Sequence, residues 1–198
     1  LRRDDERNAS ANAFCATWND KLMNIINTEL LFDSRYADAS DYLRSAAEVV
    51  LTTIRPYIID EELSDQEYFV HNDYAPTNMY VENVNGNVTY IDYEHAGAVT
   101  NPILAEITEI ADYYRSCGLN NEMRMQFVLT ILNEASHISS NTIFHILRTA
   151  MIFGTMLHLG SDRGRLSLLH HEHKEAIDLL DKLKLNIKRL ENAFMDKL

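Results

Sequence analysis

Three residues have the types and the order needed to move a phosphoryl group. Asp73 stands in the stretch His71-Asn72-Asp73-Tyr74-Ala75-Pro76-Thr77-Asn78, five positions before Asn78. Asp92 follows fourteen positions after Asn78, in Ile91-Asp92-Tyr93-Glu94. A carboxylate at Asp73 can accept the proton of an attacking hydroxyl. An amide oxygen at Asn78 and a carboxylate at Asp92 are hard oxygen ligands, suited to holding Mg²⁺ against the phosphates of ATP. His71 reads as a packed, hydrogen-bonded brace of the loop rather than a reacting group. Glu94 either approaches the metal or substrate or faces solvent.

Local structure has to bring these residues together. Glu67 to Val70 is a short apolar run that can form a strand feeding the loop. Met79 to Val84 and Val88 to Ile91 flank Asn85-Gly86, and an Asn-Gly pair between two such runs is a strong hairpin signal. A hairpin over 79–91 returns Asp92, at the end of its second strand, to Asn78, at the start of its first. Asp73, Asn78 and Asp92 are then expected in one cleft.

The motif His71-x-Asp73-x4-Asn78, then Ile91-Asp92-x-Glu94-x-Ala96-Gly97 and Asn101-Pro102, resembles that of the aminoglycoside phosphotransferase and choline/ethanolamine kinase superfamily. His71-Asn72-Asp73 and Ile91-Asp92-Tyr93-Glu94 lean toward the choline-kinase side. The motifs span residues 67–111, and the flanking helical segments extend the likeness over nearly the whole chain. The resemblance implies an α+β, mainly helical fold: the C-terminal lobe of a protein-kinase-like fold, with a small hairpin at the catalytic loop. It implies an ATP-dependent phosphotransferase, using Mg²⁺ and ATP or another nucleoside triphosphate, with Asp73 as base and Asn78 and Asp92 as metal ligands. The acceptor would be the hydroxyl of a small aminoglycoside-, choline- or sugar-like molecule.

Two departures stand out. The family commonly follows Asn-Pro with an aromatic-Asp-Leu/Ile-Ala element whose Asp braces the catalytic loop. Here that Asp falls on Ala105, or on Glu106 if the register slips by one. No Gly-rich phosphate loop and no Val-Ala-x-Lys strand precede residue 67. The expectation is a single lobe over 1–198, from which the N-terminal nucleotide-binding lobe is absent. The same departure favours the alternative, a non-catalytic kinase-like scaffold or binding domain. A protein kinase is disfavoured by Asp92-Tyr93-Glu94 in place of Asp-Phe-Gly and by the lack of an Ala-Pro-Glu segment.

The remaining sequence frames these readings. The 198 residues are 46% apolar, enough for one domain with a sizeable core. A net charge of −12 argues against nucleic acid and anionic membranes as partners, and is compatible with a cationic substrate. Two cysteines, Cys15 and Cys117, make no disulfide framework, which with the absence of a signal peptide suggests a soluble cytoplasmic protein.

Apolar periodicity predicts helices over 10–31, 41–55, 101–118, 121–136, 142–159 and 171–195. Asn101-Pro102 opens the third with a cap and an N1 proline. Its stripe is Ile103, Ile107, Ile110 and Tyr114. Substrate would sit against the helices after residue 101, where Asp112, Tyr113, Tyr114 and Asp162 are candidates for holding a cationic group. His170, His171 and His173 do not share one helical face and make a poor metal site.

Overall fold

The computed structural model describes residues 52–56, 68–71, 76–82, 85–94, 96–99, 102–117, 120–135, 139–160 and 173–197, with single helical positions at 9, 13, 16, 20, 41, 45, 48 and 49. Those single positions are helical and exposed.

Four long helices stand among the described residues: α1 (Pro102–Ser116), α2 (Asn121–Glu134), α3 (Ser140–Gly160) and α4 (His173–Met195). Four three-residue strands precede them: β1 (Tyr68–Val70), β2 (Met79–Val81), β3 (Val88–Tyr90) and β4 (Gly97–Val99). The fold is thus α+β and mainly helical, with small antiparallel sheets. No helix among the described residues is long and apolar enough to cross a membrane.

Each helix starts where its chemistry allows. Pro102 is the first residue of α1, where a missing N–H costs nothing. The Asn120 side chain accepts from Met123 N–H at 3.1 Å and caps α2. Ser139 Oγ accepts from Thr142 N–H at 3.1 Å and caps α3, moving its start slightly ahead of the expected residue 142. The far end of α2 is held by Lys197, whose ammonium donates to the Leu132 carbonyl, a cation placed at the negative end of a helix.

Helix α3 is the centre of the core. Residues 149–156 are buried without a break, so it is apolar around its circumference rather than along one stripe. Helices α1 and α4 pack on it, and α2 packs on α3 and α4. From α1 come Ile103, Ile107, Ile110 and Tyr114; from α4, Leu180, Leu183, Ile187 and Leu190. Phe194 stacks on Phe144, with ring centroids 4.5 Å apart. Ile54, from the helical segment 52–56, is fully buried in the same core.

A polar network threads this core. Tyr114 is fully buried, and its hydroxyl accepts from Asn186 Nδ2 at 2.9 Å. Asn186 Nδ2 also donates to Asn121 Oδ1 at 2.6 Å, and Asn121 Nδ2 donates back to Asn186 Oδ1 at 3.1 Å. Three helices are tied by side chains that a buried position would otherwise penalise.

The strands form two separate antiparallel pairs. β2 pairs with β3 in the register Met79↔Tyr90, Tyr80↔Thr89, Val81↔Val88. The hairpin predicted over 79–91 is therefore present, but its strands end earlier than the apolar runs. Glu82 N–H donates to Asn87 C=O and Gly86 N–H to Glu82 C=O, both at 2.9 Å, so the connection is a four-residue loop and not a two-residue turn. Gly86 takes the left-handed φ of +72° that this loop requires. β1 pairs with β4, ending at Val70↔Gly97, and both lie against α1. The strand at 97–99 is not apparent in the sequence, because Gly97-Ala98-Val99 is too short and too plain for an alternating pattern.

Candidate active site

The hairpin decides where Asn78 and Asp92 go. Asn78 ends a single 3₁₀ turn, Pro76–Asn78, directly before β2. Its carbonyl accepts from Ile91 N–H at 2.9 Å, which extends the β2–β3 ladder by one pair. Asp92 is the next residue after that pair. A separation of fourteen in sequence thus becomes adjacency at the open end of a hairpin. Asn78 is half-buried and Asp92 exposed.

Asp92 has a φ of +66° and is the one non-glycine among the described residues with positive φ. A regular strand would carry on past Ile91 with strict alternation. The left-handed residue breaks that alternation where the chain leaves the hairpin. Asp tolerates this region better than most residues, and backbone strain of this kind concentrates at functional positions.

His71 ties the two sheets together. It directly follows β1 and is 5% exposed. Its Nε2 donates to the Ile91 carbonyl at 2.9 Å, which fixes the proton on Nε2. Its ring lies 4.7 Å from that of Tyr93, and Tyr93 is 5.9 Å from Phe69. Its imidazole thus holds the carbonyl of the residue before Asp92. Asp73 itself lies outside the described residues, as does Asp162.

The loop has a second brace that the sequence did not single out. His71 N–H donates to Glu109 Oε1, from the third turn of α1. Ala105 and Glu106, where the family motif would place the bracing residue, are respectively a buried apolar residue and an exposed one. Glu109 lies one helical turn beyond Ala105. Its signal in the sequence was a single acidic residue between Thr108 and Ile110, close to the α1 apolar stripe.

The substrate candidates on α1 are largely taken up by the fold. Asp112 is buried and accepts from Arg115 Nη2 at 2.6 Å and from its Nε at 3.0 Å. Tyr114 belongs to the core, and the Arg124 guanidinium covers its ring at 4.7 Å. Arg124 Nε donates to the Tyr114 carbonyl at 2.9 Å, and burial pulls the guanidinium below its usual pKa. Tyr113 packs on Phe127 with ring centroids 3.9 Å apart. Burial raises the pKa of its hydroxyl, and the neighbouring Cys117 raises it further. Cys117 is a free, buried thiol, and burial pushes its pKa up. Glu94 is exposed, two residues beyond Asp92.

Asn78 and Asp92 offer one amide oxygen and one carboxylate, the donor set that suits a hard cation which keeps several of its waters. No cluster of three or more His, Cys, Asp or Glu side chains occurs among the described residues, and two oxygen ligands from protein suffice for Mg²⁺ that also binds phosphate. No protein-family model, curated protein or solved structure matches the chain.

Proposed function

We propose that this chain carries the catalytic and metal-binding lobe of an ATP-dependent phosphotransferase acting on the hydroxyl of a small molecule. The observation that supports the reading most is the adjacency of Asn78 and Asp92, set by the 2.9 Å bond from Ile91 N–H to Asn78 C=O. The left-handed φ of Asp92 at the hairpin exit adds to it, since sparsely populated backbone conformations cluster at functional sites.

In this reading Asp73 accepts the proton of the acceptor hydroxyl as it attacks. Asn78 and Asp92 are the residues that would hold Mg²⁺, which when bound neutralises charge on the phosphates of the donor. His71 keeps the base-bearing loop and Asp92 in register. Catalysis is mostly positioning and charge neutralisation, with no covalent enzyme intermediate. The acidic surface, at −12 overall, favours a cationic or amine-bearing acceptor. The cytosol, where ATP is abundant, is the natural setting for such a reaction.

Titration with ATP and Mn²⁺, a paramagnetic substitute for Mg²⁺, tests the metal site. Amide signals of Asn78 and Asp92 should broaden first, and only when both components are present. Turnover over a panel of amino-alcohols, sugars and aminoglycosides tests the reaction. Asp73→Asn should lower kcat by orders of magnitude with little change in nucleotide affinity, because the base acts on the acceptor. Absence of both binding and turnover would leave the non-catalytic scaffold as the better description.

A further inference from the structure

The end of β1 poses a hydrogen-bonding problem. The β1–β4 ladder stops at the pair Val70↔Gly97, so the next N–H, that of buried His71, lies beyond the strand pairing. A buried backbone donor needs an acceptor. Glu109 of α1 supplies one with a carboxylate, making the bond charge-assisted. On the other side of the same residue, the His71 imidazole donates to the carbonyl of Ile91, directly before Asp92. One chain of contacts therefore runs from α1 through His71 to the exit of the hairpin.

Resting on the phosphotransferase reading, we propose that Glu109 is the positioning residue of the reacting loop. Its carboxylate fixes the backbone two residues before Asp73 and, through the His71 ring, the backbone at Asp92. It acts from one helical turn beyond Ala105, which is buried and has no side-chain acceptor. Glutamate reaches further than aspartate by one methylene, so a carboxylate set later on the helix still meets the loop. The carboxylate sits on a helix packed against α3, so the loop takes its position from the helical core.

The test uses the full chain, with Glu109→Ala to remove the acceptor and Glu109→Gln to retain a neutral one. Amide hydrogen exchange at His71 reads the contact itself, and the affinity for ATP with Mn²⁺ reads the site it serves. In Glu109→Ala, His71 exchange should quicken by about tenfold or more, the scale of a lost hydrogen bond to a charged group. The amide signals of Ile91 and Asp92 should shift, and ATP·Mn²⁺ affinity should fall by about tenfold. Glu109→Gln should restore most of both.

Unchanged His71 exchange in Glu109→Ala overturns the inference, as does acceleration spread evenly over every core amide. A wild-type chain that binds ATP·Mn²⁺ while His71 ignores both variants removes Glu109 alone from the site. A wild-type chain with no such affinity removes the phosphotransferase reading and the positioning role with it, even where the His71 contact is verified by exchange.

Discussion

Gly154 of α3 faces the carbonyl oxygen of Ala111 on α1 so closely that a β-carbon added to Gly154 would stand 2.5 Å from that oxygen. It would also lie 3.1 Å from Tyr114 Cβ. Neither neighbour can yield cheaply, since one is helical backbone and the other begins a fully buried side chain. Gly154→Ala should therefore destabilise the protein by about 2 kcal/mol, the usual cost of overpacking, despite the better helix propensity of alanine. Urea denaturation gives the number. Glu109 lies two residues before Ala111, so the His71 amide signal should move as well. A stability loss under about 0.5 kcal/mol would mean that α1 and α3 can part freely.

Asn186 offers a second stability test. Asn186→Leu strands the Tyr114 hydroxyl and the Asn121 amide in the core and should cost about 3 kcal/mol. Tyr114→Phe alone leaves Asn186 its bonds to Asn121 and should cost about 1 kcal/mol. The double variant should cost clearly less than the sum, because the stranded hydroxyl is gone. Additive losses in a double-mutant cycle would show that the network is not coupled.

Stability should also depend on pH through His145. Burial pulls its pKa below the ordinary 6.5, and the nearby Arg148 adds to the shift. The unfolded chain thus binds a proton more readily than the folded one. This contribution is fully present above pH 6.5 and is lost as pH falls through the folded value. At the alkaline end, Cys117 and Tyr114 have raised pKa values, each mainly through burial. Their contribution is full below pH 9 and is lost as pH rises through their folded values. His145→Gln should flatten the fall in melting temperature between pH 7 and 5 and leave the alkaline fall unchanged. An identical acid limb in the variant would assign that loss to the carboxylates instead.

The parts of this fold that were legible in sequence are those written as period or punctuation. Ile103, Ile107, Ile110 and Tyr114 repeat at helical spacing, and all are buried as that spacing requires. Asn85-Gly86 between apolar runs marks the hairpin, and with it the backbone pairing of Asn78 with Ile91, the residue before Asp92. What the sequence concealed depends on tertiary reach. The β4 strand exists because β1 is there to pair with it, and three plain residues carry no pattern of their own. Glu109 carries no signal of its own, because its role depends on where the N–H of His71 falls after folding. Tyr114 fits two descriptions at once, a stripe residue and an aromatic two positions from Asp112, and only packing separates them.

Asp92 allows backbone and chemistry to be measured separately. Its φ of +66° disfavours any residue with a β-carbon, by about 1 kcal/mol for alanine, less for Asp and Asn and not at all for glycine. Ligation makes a different demand, for an oxygen and preferably a negative one. Stability should therefore follow the order Gly, at or slightly above Asp and Asn, then Ala about 1 kcal/mol below, by thermal or urea denaturation. Affinity for ATP with Mn²⁺ should follow another order: Asp first, Asn weaker, and Gly and Ala both lowest. Asp92→Gly is the informative variant, because it should fold as well as the wild type and yet lose the metal-nucleotide complex. Should Asp92→Gly keep its affinity, the carboxylate is not a ligand. Should Asp92→Ala prove as stable as Asp92→Gly, the left-handed backbone is not what selects the residue, and the hairpin exit is free to relax.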